Sequence, residues 1–252
     1  MTGDWDYYFT RVNGTLASIF LDLDARSMVP DASRPWVLWV FVKMGAPRED
    51  GLSSSEEAPT LDEIEGRVTA ALSASCGARL VGRVTTAGRR ELYYYASTGE
   101  DVEATAAQVL SAFPEYPHQA GSQRDEEWSQ YLNVLYPSPA EHQMIQNRRV
   151  VAALAEHGDP LTVPRPVRHW VYFSTTEQRA AFLDRARQEG FDTPAEGMSH
   201  DPAGGERPFG ASIERVDPVD HNSIDQVVRA LLPIVTDCGG AYDGWETQVV
   251  EV

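Results

Sequence analysis

From Tyr242 to Thr247 the chain reads Tyr-Asp-Gly-Trp-Glu-Thr, with large apolar and polar residues in alternation. That two-residue period predicts a strand with one buried face. The Gly239-Gly240 pair ahead of it is a helix stop, so this strand closes a domain and is entered from a helix. At the other end, Tyr7–Val12 and Thr15–Leu23 flank Asn13-Gly14. Asn-Gly accepts the positive φ angles of a type I′ turn, which predicts a β-hairpin. Trp36–Val42 is apolar throughout and predicts a central strand covered on both sides. After a Gly/Pro/Ser-rich loop from Gly45 to Pro59, Thr60 and Glu63 have the spacing of a capping box. Leu61, Ile64, Val68, Ala71 and Leu72 then keep one helical face apolar up to Gly77.

Strands are predicted over 79–85 and 90–96 around Ala87-Gly88, and a helix from about Asp101 that Pro114 closes. Trp128 to Leu135 is read as a further strand. Ser138-Pro139-Ala140-Glu141 opens a helix with both a capping box and Pro at its first position. Met144, Val151, Leu154 and Ala155 give that helix an apolar face, and it is read as the link between domains. A second series follows: a strand over 169–173, a helix capped at Ser174–Glu177 and ended by Gly190 with Phe191 folding back, and a short strand from Phe191. After a Gly/Pro loop at 202–208 come a strand over 209–216 and a helix marked by Ile224, Val227, Val228, Leu231 and Val235. Pro233 is expected to kink or shorten that helix.

Both series run βαββαβ. The fold expected is α+β, as tandem ferredoxin-like domains over 1–136 and 137–252, the first with an added N-terminal hairpin. Helices would cover one sheet face and leave the other open. In the first domain that open face would carry Trp39, Phe41, Tyr93 and Tyr95, opposite in parity to Leu38, Val40, Leu92 and Tyr94. Such a face is seldom left to water.

Length and charge sharpen this. At 252 residues the chain suits two domains, and 42% hydrophobic content supports packed cores. The net charge of −17 is spread over both halves, which opposes phosphate and anionic lipid and favours a basic partner or simple solubility. Lys43 is the one lysine. Cys76 and Cys238 each fall at a predicted helix end as small buried thiols, with no CxxC pair, which fits a reducing compartment. No signal peptide is visible, the longest apolar run is too short to span a bilayer, and the expected location is the cytoplasm.

Candidate chemistry is sparse. Trp245 and Tyr242 suit partner-binding anchors, against the weightier alternative that Trp245 packs in the core beside a bulge at Gly244. Asp243 could meet a basic partner or fix the turn after Gly240, and Glu246 lies on the same strand. Arg165, Arg168 and His169 could hold a carboxylate or phosphate, though an internal ion pair carries more weight. Arg48 and Asp50 form either a site or a loop-stabilising pair. Asp217, Asp220, His221 and Asp225 have ligand-like composition, but their place before a helix favours capping. No GxSxG, Walker, HExxH or paired CxxC pattern is present, so no cofactor, metal or catalytic residue is expected.

Asn147-Arg148-Arg149, the segment Pro164-Arg165-Pro166-Val167-Arg168-His169-Trp170-Val171-Tyr172-Phe173, and above all Tyr242-Asp243-Gly244-Trp245-Glu246-Thr247 resemble the bacterial regulator of ribonuclease E activity B family. The first half, through residues 5–11 and Pro47-Arg48-Glu49-Asp50-Gly51-Leu52, resembles an uncharacterised domain family often joined to that regulator. The resemblance implies an acidic ferredoxin-like protein, without catalytic residues, that binds the endoribonuclease and restrains RNA decay. The leading expectation is therefore a non-enzymatic protein-binding regulator. One alternative is a single-stranded RNA binder using aromatics on an open sheet face. Another is a small-molecule or enzymatic site in a cleft between domains lined by Arg11, Arg48 or Arg165.

Overall fold

The structure is a computed structural model that describes residues 3–194, 199–200 and 205–250. It divides into two compact units, Met1–Glu141 and His142–Val252. The fold is α+β, with one antiparallel sheet in each unit.

Asn13 and Gly14 take φ angles of 51° and 81°, the turn the sequence implied, and join β1 (Trp5–Val12) to β2 (Thr15–Asp22). Then come β3 (Trp36–Lys43), α1 (Ala58–Cys76), β4 (Arg79–Thr86), β5 (Arg89–Ala96), α2 (Val102–Leu110) and β6 (His118–Arg124), and the sheet runs β1-β2-β4-β5-β3-β6. Leu38, Val40, Leu92 and Tyr94 pack under Leu61, Ile64, Val68 and Leu72 of α1 and Val102, Ala106 and Leu110 of α2.

Two expectations fail in this unit. The Thr60–Glu63 box is not the start of α1: the helix begins at Ala58, and the Glu57 carboxylate instead accepts from Gly45 N (2.6 Å) and Ala46 N (3.1 Å), pinning the preceding loop. Residues 128–135 are not a strand. Trp128 sits at φ 56°, and Tyr131–Leu135 form a π-helical turn begun by Asp125, whose carboxylate accepts from Ser129 N and Gln130 N. This segment covers part of the second sheet face. Trp128 stacks on Tyr95 at 3.8 Å, Tyr131 Oη donates to Asp22 O, and Tyr8 Oη donates to Leu135 O.

In the second unit, α3 (Pro139–Glu156) starts just before the division, on the expected box: Ser138 N donates to Glu141 Oε2 and Glu141 N to Ser138 Oγ. The rest is β7 (Arg165–Phe173), α4 (Thr176–Gln188), β8 (Ser199–His200), β9 (Phe209–Asp217), α5 (His221–Asp237) and β10 (Ala241–Thr247), in a sheet ordered β10-β7-β9-β8. Thr175 and Gln178 make the reciprocal cap of α4, and Phe191 turns back into the core with its N–H on Ala186 O. The short strand expected at Phe191 is a single bridge between Asp192 and Glu214, with β8 following it; part of the 202–208 loop, residues 202–204, lies outside the described residues. Pro233 does not shorten α5, which continues to Asp237 because Ile224, Val228, Leu231, Ile234 and Val235 keep burying its apolar stripe. Cys76 is buried as expected, whereas Cys238 is half-buried just past α5.

Candidate partner-binding surface on the second unit

β10 stands at one end of its sheet and pairs with β7 alone, so one row of its backbone amides and carbonyls faces away from the sheet. Its register slips between Tyr242 and Gly244, where Gly244 adopts φ 133°. This is the bulge that the Tyr-Asp-Gly-Trp run suggested, and it re-aims the side chains on either side. Asp243 and Glu246 are exposed, while Trp245 is turned inward.

Trp245 packs with Val167, Ile224, Val228 and the α3 residues Met144, Val151 and Leu154. Its indole Nε1 donates to Asn147 Oδ1 at 2.9 Å, and Asn147 Nδ2 donates to Asp225 Oδ1 at 2.9 Å. Asn147 is fully buried, and this bridge between α3, β10 and α5 was absent from the sequence-based site. A signal for it existed: Asn147 lies three residues after Met144 and four before Val151, a polar residue within an apolar helical stripe.

His169, also fully buried, packs its ring against Phe191 and Tyr242. Its Nδ1 lies 2.7 Å from Tyr242 Oη, and its Nε2 has no partner among the described residues. Burial, with the Arg215 charge adding to it, pushes the imidazole down to about 3. Burial, with Asp243 adding to it, pushes the Tyr242 phenol up. Both side chains are therefore neutral across the physiological range.

Arg165 is held rather than free. Its guanidinium makes a two-pronged pair with the buried Asp159, with Nη2 2.7 Å from Oδ1. Asp159 also accepts from Leu161 N and Val250 N, and Arg165 hydrogen-bonding keeps this carboxyl well below the usual range. Arg168 lies across the sheet between Glu214 (3.1 Å) and Glu246 (3.9 Å). Arg48 and Asp50 belong to the first unit, where they pair with each other at 2.6 Å in a turn bridged from Pro47 to Ser53. The second unit thus brings Arg165, His169, Tyr242, Asp243, Trp245 and Glu246 onto neighbouring strands, and Arg48 and Asp50 are not part of that group.

A cleft of about 550 Å³ opens along the edge at the bulge. Its walls are His142, Gln143, Gln146 and Val150 of α3, Trp170 of β7, and Tyr242–Glu246 of β10. The lining is largely polar and acidic around three aromatic side chains, Trp170, Tyr242 and Trp245, suited to an extended, positively charged segment. Three of the ligand-like quartet have other duties, and the fourth, His221, is exposed at the first position of α5. Asp220 caps α5, Asp217 pairs with Arg215, and Asp225 holds Asn147. Among the described residues no three metal-ligating side chains converge, and no helix is long and apolar enough to cross a membrane.

Residues 3–136 match the model described as Family of unknown function (DUF695), and residues 144–247 match Regulator of ribonuclease activity B. A solved structure described as an unknown protein from Galdieria sulphuraria is 14% identical and covers 83% of this chain and 96% of that one. Its TM-score of 0.21 is too low to carry an argument. No curated protein matches the chain.

Proposed function

We propose, for a chain that belongs to the Family of unknown function (DUF695) and carries the ribonuclease-regulator match in its second unit, that it is an acidic, non-enzymatic, cytoplasmic protein that binds another protein. The partner is a basic segment of a ribonuclease of RNA decay, such as ribonuclease E, and it adds to the β10 edge. The observation that carries this reading is the match over 144–247, which spans the bulged edge strand and α3 from Met144 onward. Two features support it. Asp243 and Glu246 are exposed on that edge, within a chain of net charge −17, which draws cationic segments in and speeds their encounter. The sheet orders β4-β5-β3-β6 and β8-β9-β7-β10 repeat one topology, so we read both units as ferredoxin-like, with the β1–β2 hairpin added to the first.

The test is a cleavage assay with purified ribonuclease E and a single-stranded RNA substrate. The full chain is expected to slow cleavage, and the pair Asp243→Lys and Glu246→Lys to weaken that effect about tenfold. An unchanged rate at excess chain, together with separate elution of the two proteins in gel filtration, removes the ribonuclease as the partner.

A further inference from the structure

The first unit holds a cationic groove of its own. In register, Lys43 at the end of β3 lies directly opposite Arg89 at the start of β5, and Val42 lies opposite His118 at the start of β6. The sheet therefore gathers three basic residues at one corner. None of the residues lining the groove there is acidic, although the chain has 38 Asp and Glu residues. Like charges set directly across a strand pair disfavour the pairing. Arg89 is partly offset by Glu91, which also accepts from Tyr93 Oη at 2.8 Å. Lys43, the sole lysine, is exposed and has no carboxylate within 4.0 Å among the described residues.

The groove is about 520 Å³, a size that suits a small molecule. Phe41 forms part of its lining, with the Arg89 guanidinium 5.5 Å from the ring centroid. Pro47 and Pro117 also line it. Backbone bonds stitch these parts together: Lys43 N to Pro117 O at 2.8 Å, Met44 N to Gly88 O at 2.9 Å, and Gly88 N to Gly51 O at 3.0 Å. The surface is thus tied together before any ligand arrives.

We propose that this groove binds a small organic anion carrying a planar ring, with Lys43 and Arg89 on the anionic group and Phe41, Pro47 and Pro117 against the ring. The anionic group is a phosphate or a carboxylate, which would come from a mononucleotide or an aromatic acid respectively. A long polyanion is disfavoured by the surrounding acidic surface. The site does not depend on the ribonuclease reading, which rests on the second unit.

Calorimetric titration of the full chain with 5′-AMP, 4-hydroxybenzoate, adenosine and inorganic phosphate tests it. At least one ring-bearing anion should saturate with a Kd below about 1 mM, with adenosine and inorganic phosphate each about tenfold weaker than it. Whichever of 5′-AMP and 4-hydroxybenzoate binds more tightly identifies the source. Lys43→Gln should weaken binding about tenfold and Lys43→Arg should restore it. Relief of the Lys43–Arg89 repulsion should also raise the ligand-free Tm of Lys43→Gln by about 2 °C. Absence of saturation by both ring-bearing anions, or affinity unchanged in Lys43→Gln, overturns the proposal.

Discussion

His169 shows how a single buried ring sets a pH limit on the second unit. In the folded chain it stays neutral until the pH approaches about 3, because burial penalises its charged form. Unfolded, it takes up a proton near the ordinary histidine value of about 6.5. Between those two values the unfolded chain binds more protons, so stability falls as the pH drops below about 6.5 and is complete above it. At pH 5 the loss from this one group is about 2 kcal/mol. His169→Gln removes the titration and retains a polar side chain for Tyr242. Thermal melts between pH 7 and pH 5 should show a steeper decline for the native chain than for this variant. Parallel declines would mean that the imidazole is not the group responsible.

The bond between Trp245 and Asn147 belongs to the scale of elements, since it ties the edge strand to α3 and, through Asp225, to α5. Removing the amide in Asn147→Ala leaves the indole N–H and a carboxylate oxygen without their partner, which costs about 2 kcal/mol. Trp245→Phe loses the same bond from the other side, so the double variant should be less destabilised than the sum of the two singles, as urea unfolding would show. How far such elements were legible depends on what each buries. The hairpin, β3 and the β4–β5 pair announced themselves through turn residues and apolar runs, and the Gly244 bulge through the residues around it. β6 gave no such signal: His-Gln-Ala-Gly-Ser-Gln-Arg has no large apolar residue, because it is an edge strand whose Gly121 makes room for Trp39. A Cβ at Gly121 would lie 2.6 Å from Trp39 Cζ2. The strand expected over 128–135 does not form, and the residues that are buried there, Trp128, Tyr131 and Leu135, sit three and four apart, the spacing of a helical turn. Of the candidate surface, the Tyr242–Glu246 stretch could be read in advance. Asn147 stands out as a polar residue in an apolar stripe, but its partners Trp245 and Asp225, like the Asp159 partner of Arg165, require the tertiary contacts.

Across the whole molecule, each unit has a core of its own. Leu38, Val40 and Tyr94 centre the first, while Phe173, Phe182 and Ile213, together with the Trp245 cluster, centre the second. Contact density divides the chain after Glu141, yet the start of α3 depends on residues ahead of that point. Ser138 and Glu141 exchange hydrogen bonds across its first turn, and Pro139 occupies the first helical position. A chain cut at 142 would lose both partners of the box and expose the first amides of α3. A chain of residues 137–252 keeps them, which motivates placing the domain boundary at 137. Both chains are expected to fold cooperatively, with 137–252 the more stable by about 1 kcal/mol, the value of one N-terminal cap. Urea unfolding followed by Trp245 and Trp170 fluorescence measures the difference. Equal midpoints would show that the box adds nothing to α3, and a non-cooperative transition in the longer chain would show that the second core cannot stand without the first unit.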